Sequence, residues 1–394
     1  MKIVHLSTSA TGGAAVIANS LSRIQRSLGH ESNVIKRDNN LPFVGKMKSK
    51  VSTFISLANA TSEYAQVTHF SSSGINLKKI WILNPEVIFI HNWFNFLDQE
   101  QIISITNRIP TIFVAHDARL ATGGCHVTLG CKNFKGSCSP CPASHIDRFA
   151  SVAKKSIDSM VDQLGKYAVV TPSTWLMNEI SESPIIQRAS VKATIGNPTT
   201  VESEFKKPSR SQDVKSFRII FVAATLDAKY KGFDLLLDAL SRIEKKEIIG
   251  LEIDVQIVGG GASKNLPPTD SGIRITFQGE LKSFEVHQLM SESDLLVVPS
   301  LSENYPGVIG EAQLIGCTVA ASRVGGIPEM IEDGVSGFLF EPNPLGCKTA
   351  IIRAINSPNR TQIINSAKVL ANSRHDENKI NREYEAVIEE LLRA

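Results

Sequence analysis

The chain has 394 residues, 42% of them hydrophobic and 21% charged, which is enough for two domain cores and excludes a collagen, a mucin-like stalk or a wholly disordered polymer. Its 42 Lys and Arg against 39 Asp and Glu leave a net charge of +3, too small for a general phosphate-neutralising field, so nucleic acid is not an expected partner. No apolar run reaches the roughly 18 residues of a membrane span, and Met1 to Ser7 is too brief for a signal core, so a cytoplasmic protein with reduced cysteines is expected.

Short β-branched runs, each followed by Gly, Ser, Thr or Asn and then a helical pattern, read as parallel strands with crossover helices, the α/β class. Lys2 to Leu6 is the first strand, Thr8 to Gly13 a turn, and Ala14 to Leu28 a helix with Val16, Ile17, Leu21 and Ile24 on its apolar face. Lys46, Lys48 and Lys50 lead into Val51 to Leu57. This basic stretch reads either as a solvated helix or as peripheral contact with the inner face of the cell membrane. Further strands are expected at Val87 to His91, Thr111 to His116, Ala168 to Thr171 and Val191 to Ile195. They complete a first domain, 1–198, whose cysteine-rich insertion spans 122–145. Asn197 to Arg218 turns polar and reads as a linker. The rhythm then restarts in a second domain, 199–376, with strands at Ile219 to Ala224, Asp254 to Val258, Ile273 to Phe277, Leu295 to Pro299 and Thr318 to Ala321, and helices at Phe233 to Ile243 and Ser283 to Met290. Glu377 to Leu392 is an amphipathic terminal helix, expected to pack back toward the first domain.

The most specific signal is Ser302 to Ala312, SENYPGVIGEA, after a strand ending in Pro299-Ser300. Loops at the carboxyl ends of parallel strands face the ligand crevice, and a helix starting near Tyr305 would offer the free amides of Gly307 to Gly310 to a phosphate. Glu303 would stay in the loop and Glu311 would lie in the helix, addressing different parts of one elongated ligand. On one continuous helix eight residues put side chains about 80° out of line, so the two carboxylates do not read as a close acid/base pair. Carboxylates beside an anion serve best as acceptors from hydroxyls, which is what a sugar nucleotide presents.

With those residues in view, the chain resembles the retaining glycosyltransferases of family 4, which have the two-domain GT-B fold: two Rossmann-like domains facing across a deep cleft. The resemblance rests on E-x7-E at Glu303 and Glu311, with Asn304 and Gly307 between them, and on Gly325-Gly326-Ile327-Pro328-Glu329. It implies that Glu303 binds donor hexose hydroxyls and Glu311 the ribose hydroxyls. Lys229-Tyr230-Lys231-Gly232-Phe233 resembles the family's lysine-glycine segment, with Lys231 as the diphosphate ligand whose ammonium balances charge on the leaving phosphate. Where many relatives carry an arginine, this chain has Thr225 and Leu226, and Lys229 is the nearest replacement. Gly12 and Gly13 are implied to line the crevice near the donor diphosphate and the acceptor, backbone around Gly279 to hold the base, and His116 to face the donor sugar. Asp117 could take the acceptor's proton. His91 is a further candidate for acceptor binding.

Cys125, Cys131, Cys138 and Cys141 fall within seventeen residues. Four thiols in a reducing compartment favour a closed tetrahedral zinc, structural because no coordination position stays open; free thiols and an iron-sulfur cluster are the alternatives. A subset of the family's polysaccharide enzymes looks similar from Thr122 to His126 and from Cys138 to Pro142.

The resemblance implies transfer of a hexose from a UDP- or GDP-hexose to a glycan or lipid-linked glycan, without catalytic metal, in surface polysaccharide biosynthesis such as lipopolysaccharide or capsule. A glycoside hydrolase would need two opposed carboxylates and no Lys231. A GT-B module that binds nucleotide-sugars or partners without transfer is the alternative outside catalysis.

Overall fold

The structure is a computed structural model and describes residues 1–8, 12–37, 75–143, 147–201, 205, 216–248, 250–261 and 273–394. The basic stretch at Lys46 to Leu57 lies outside these residues, as do most of the linker and Ser9 to Thr11. The chain forms two compact units, Met1–Pro198 with Glu377–Ala394, and Thr199–Asp376.

The first unit is built on six parallel strands: β1 (Lys2–Ser7), β2 (Glu31–Lys36), β3 (Val87–Asn92), β4 (Thr111–Val114), β5 (Tyr167–Thr171) and β6 (Val191–Thr194), in the order β2-β1-β3-β4-β5-β6. Val87, Ile88, Phe89 and Ile90 are fully buried, as a central strand covered on both faces requires. Edge strand β2 has no counterpart among the expected strands. Its sequence, Glu-Ser-Asn-Val-Ile-Lys, is mostly polar because it pairs only with β1, and only Ser32 is buried.

The helix Gly13–Ser27 buries Ile17, Leu21 and Ile24 on the sheet. Val16, expected on that face, is 53% exposed, because Ile17, Leu21 and Ile24 already fill the i, i+4, i+7 stripe. The terminal helix Glu377–Arg393 places Ile380, Tyr384, Val387, Ile388 and Leu391 in the same core, with Tyr384 5.6 Å from Phe89 between ring centroids. Each of those five side chains removed from water contributes about 2 kcal/mol, so the last helix is an integral part of the first unit.

The second unit has six parallel strands, β7 (Ser216–Thr225), β8 (Glu252–Gly260), β9 (Ile273–Gly279), β10 (Leu295–Val298), β11 (Thr318–Ser322) and β12 (Phe338–Phe340), in the order β12-β11-β10-β7-β8-β9. This is the doubly wound order. The chain winds from β7 outward to β9, then returns to the other side of β7 as β10, so the order reverses between β7 and β10. Loops leaving the carboxyl ends of these two strands diverge there and open the crevice in which such folds bind ligands.

Candidate functional site

After β7 the chain makes a short 3-10 turn, Lys229–Lys231, passes through Gly232 at φ 72°, and enters the helix Phe233–Ser241. After β10 it runs through Pro299 to Pro306 and enters the helix Gly307–Ile315, capped by no side chain. The two loops are tied together: Leu301 N donates to the carbonyl of Tyr230 at 2.7 Å, and Gly232 lies so close to β10 that a Cβ there would stand 1.8 Å from the Pro299 oxygen.

This brings Lys231 and Glu303, 72 residues apart, into a direct ion pair, with the Lys231 Nζ donating to Glu303 Oε2. Both side chains are mostly covered, 28% and 15% exposed. Burial opposes the Lys231 charge, but the Glu303 carboxylate, aided by Tyr230, outweighs it and holds the pKa above the ordinary lysine value. The ammonium also lies 5.3 Å from the Tyr230 ring centroid. The other oxygen of Glu303 accepts from Asn304 N at 3.3 Å. Gly325, at φ 58°, packs against the Glu303 carbonyl, which a Cβ would approach to 1.6 Å. Thus the Gly325-Gly326 segment supports the loop that carries Glu303.

Glu311 lies one turn into its helix and leans back over the helix start; a Cβ on Gly307 would sit 3.7 Å from its Oε1. Its Oε2 is 3.6 Å from Nε2 of His287, a buried residue on the helix Ser283–Ser291 whose Nδ1 has no hydrogen-bond partner among the described residues. His287 has no counterpart among the expected site residues. A histidine among Val286, Leu289 and Met290 carries no motif, and only the fold brings it to Glu311. Lys229 is exposed in the same turn as Lys231, and Gly279 ends β9 at φ 71° with open space around its Cα.

In the first unit the helix Gly13–Ser27 starts at Gly12, φ 90°, whose carbonyl accepts from Ala15 N and Val16 N at 3.1 Å. Among the described residues no atom lies within 4 Å of a Cβ built on Gly12 or Gly13, which leaves this helix start open on their side. His116 follows β4 and bonds inward, its Nε2 3.2 Å from Nδ1 of His91, which in turn contacts His5. His91 is 3% exposed with both ring nitrogens engaged, so the expected acceptor contact gives way to an internal role.

Asp117 corrects a second expectation. It accepts from Arg119 N at 2.9 Å, capping the turn Ala118–Ala121, and meets His126 Nδ1 at 2.6 Å. Burial works against its charge, yet His126 and the Arg119 amide prevail and hold the carboxyl below its usual range, which makes it a weak base for an acceptor proton.

Cys125, Cys131, Cys138 and Cys141 all line one cavity of about 20 Å³, room for one water-sized particle. Gly123 N donates to Cys138 Sγ at 3.4 Å. Burial, then the neighbouring thiols, push Cys125 far up; burial outweighs the Gly123 amide and raises Cys138 to about 11, so both are thiols at neutral pH. The fold gathers the four but does not close them into the expected tetrahedral set. Among the described residues no group of three or more His, Cys, Asp or Glu side chains is arranged to hold a metal ion.

Residues 216–357 match the family described as Glycosyl transferases group 1. Curated relatives include the sulfoquinovosyl transferase of Arabidopsis thaliana, 32% identical over 142 residues covering 35% of this chain and 26% of that protein. A D-inositol 3-phosphate glycosyltransferase of Mycobacterium sp. (strain KMS) is 31% identical over 126 residues, 29% of this chain and 27% of its own. The chain therefore spans only about a quarter of the length of these relatives. Among solved structures, Anabaena HepE in complex with UDP and glucose aligns with TM-score 0.61 at 19% identity, over 99% of both chains. The sucrose-phosphate synthase of Thermosynechococcus elongatus aligns with TM-score 0.65 at 14% identity, again over 99% of both. Residues 216–357 of the second unit are thus similar to the glycosyl transferase group 1 family, and the two parallel, Rossmann-like sheets have the GT-B fold. No helix among the described residues is long and apolar enough to cross a membrane.

Proposed function

We propose that the chain is a retaining, metal-independent glycosyltransferase of family 4 that moves a hexose from a nucleotide-sugar to a glycan or lipid-linked glycan acceptor in surface polysaccharide assembly. The observation that carries this reading is the Lys231–Glu303 pair at the switch point of the second sheet, beside an uncapped helix start. In this reading the diphosphate takes Lys231 from Glu303, and the freed carboxylate accepts from hexose hydroxyls. The ammonium and the amides of the helix start then balance the charge that grows as the glycosidic bond to phosphate breaks. With Glu303 engaged by the hexose hydroxyls, no carboxylate nucleophile is called on, and the acceptor enters on the face the phosphate leaves. Charge neutralisation by Lys231 is what supports a reaction without catalytic metal. The Anabaena HepE structures hold UDP and glucose, or UDP-glucose, which supports UDP-hexoses as the first donors to test, ahead of GDP-hexoses.

Screening purified protein against nucleotide-sugars by thermal shift, then assaying transfer with the one that stabilises it, tests the reading. Glu303→Gln is expected to lower kcat at least about tenfold with little change in nucleotide affinity, and Glu311→Gln to weaken nucleotide binding about tenfold, each by loss of a charged hydrogen bond. Equal effects of the two substitutions on both quantities would refute the divided roles.

A module that binds nucleotide-sugar without transfer is the second reading. It is favoured by Leu226, which is 3% exposed and packs in the core where relatives place an arginine. Binding without turnover across a panel of glycan and lipid-linked acceptors would select it.

The cysteine loop supports a structural zinc to the extent that its four thiols share one cavity; the donors would have to tighten around the ion to bind it. Elemental analysis of purified protein tests this, and about one zinc per chain is the result that would uphold the cluster. Metal-free, fully folded protein would leave the four as packed thiols.

A further inference from the structure

The segment that leads into β3 displays an apolar side chain to water on a fixed support. A short helix, Lys78–Trp81, is followed by Ile82, Leu83 and Asn84. Ile80 is fully buried, and Leu77, Trp81 and Leu83 pack against the same core. Ile82 N donates to the Lys78 carbonyl and Leu83 N to the Ile80 carbonyl, each at 3.1 Å. The backbone at Ile82 is thus held on both sides. Its side chain is nevertheless 81% exposed, more than any other large apolar side chain among the described residues.

The surroundings of Ile82 are aromatic and cationic. Trp81 is half-buried, and the guanidinium of Arg108, from the turn that precedes β4, lies 5.2 Å from its ring centroid. Lys78 and Arg108 are exposed. Lys79 is exposed too, but it has a partner of its own. Residues 75–84 and 107–110 contain no acid, and the carboxylate that follows them in the chain, Glu86, accepts from the Lys2 backbone amide at 2.7 Å.

One exposed aliphatic residue by itself is ordinary. The combination here is not, because each part suits a different layer of a bilayer surface. An aliphatic side chain on a rigid ledge reaches the acyl boundary, and an indole settles at the level of the headgroups. Lysine and arginine cover apolar surface with their stems and leave their charges beside anionic headgroups. A protein interface would select against exposed lysine, and a nucleic acid would give Ile82 nothing to bury against.

We propose that Lys78, Trp81, Ile82 and Arg108 form a docking surface for a bilayer that carries anionic lipid headgroups. This surface is independent of the transfer reaction. It lies before β3 and β4, at the amino ends of the strands, whereas the helix start at Gly12 and Gly13 follows the carboxyl end of β1. Because the sheet is parallel, a bilayer docked at one end of it leaves the other end uncovered. The rival contact is the basic stretch from Lys46 to Leu57, which the sequence places upstream of this ledge.

The test is sedimentation of the full chain with vesicles of phosphatidylcholine alone and of phosphatidylcholine mixed with phosphatidylglycerol in equal parts. Binding is expected to the mixed vesicles and not to the neutral ones, and it should weaken as salt rises. Ile82→Glu should lower it at least about tenfold, while Ile82→Leu keeps it; Lys78→Gln and Arg108→Gln should each lower it about fivefold. Brominated acyl chains should quench part of the fluorescence of the three tryptophans, and Trp81→Phe should remove that part. The thermal shift given by a nucleotide-sugar should be the same for Ile82→Glu as for the unaltered chain. No binding by the unaltered chain, or equal binding to both kinds of vesicle, would overturn the proposal. Binding that survives Ile82→Glu but is lost when Lys46, Lys48 and Lys50 are all changed to Gln would overturn it in favour of that stretch. Self-association that Ile82→Glu abolishes, without vesicle binding, would make the ledge a contact between copies instead.

Discussion

Lys231→Met is expected to lower kcat/KM for transfer about a thousandfold, the upper end of what one preorganised charge or donor contributes at a developing anion. In the proposed reaction the leaving group is a nucleoside diphosphate whose negative charge grows as the glycosidic bond breaks, and Lys231, held at the switch point by Glu303, is the cation assigned to it. The same substitution should cost little stability, about 1 kcal/mol, because Glu303 keeps the Asn304 N–H and partial access to water when its ion pair is lost. Activity and melting temperature therefore separate. Lys231→Arg tests the geometry further: a planar fork in a slot shaped by Tyr230 and Glu303 does not replace a point charge, so it should rescue only part of the loss. Since the Lys231 pKa is raised, activity should not fall through loss of its proton until well into the alkaline range. Normal turnover by Lys231→Met would remove the leaving-group argument and the function built on it.

How much of this was legible beforehand depended on how local each feature is. Strands such as β3 and β10 announce themselves because both their faces are buried and their residues are uniformly apolar. The edge strands β2 and β12 do not, one being polar and the other three residues long. The segment from Ser302 to Ala312 pointed to Glu303 and Glu311 as candidate site residues, but no spacing could show that Glu303 pairs with Lys231. That contact depends on β10 returning to the side of β7 opposite β8. His5, His91 and His116 are likewise scattered over more than a hundred positions and become one row only because β1, β3 and β4 are neighbours in the sheet. Asp117 looked like a free acid in the sequence because the group that holds it, His126, reaches it across a loop.

Gly232→Ala and Gly325→Ala are expected to be the most destabilising single changes in the second unit, each lowering its stability by more than about 3 kcal/mol. Two costs combine at these positions. A left-handed backbone costs a residue with a Cβ about 1 to 2 kcal/mol by itself. In addition, the new methyl would stand 1.8 Å from the Pro299 oxygen in one case and 1.6 Å from the Glu303 oxygen in the other. Both obstacles are backbone atoms, which cannot swing aside as a side chain would, so the loop that carries Glu303 must part from the Lys231 turn in the first case and from the Gly325-Gly326 segment in the second. Gly279 supplies the control, since its φ of 71° matches that of Gly232 but nothing among the described residues lies within 4 Å of its Cβ position. Gly279→Ala should therefore show the conformational cost alone, about 1 kcal/mol, in urea unfolding. Gly13→Ala should be nearly neutral for stability, because its backbone is already helical and its surroundings are open. If Gly13→Ala nevertheless weakens donor or acceptor binding, that open helix start is kept clear for a ligand. Equal stability losses for Gly232→Ala and Gly279→Ala would show that close packing of the two loops does not hold the Lys231–Glu303 pair together.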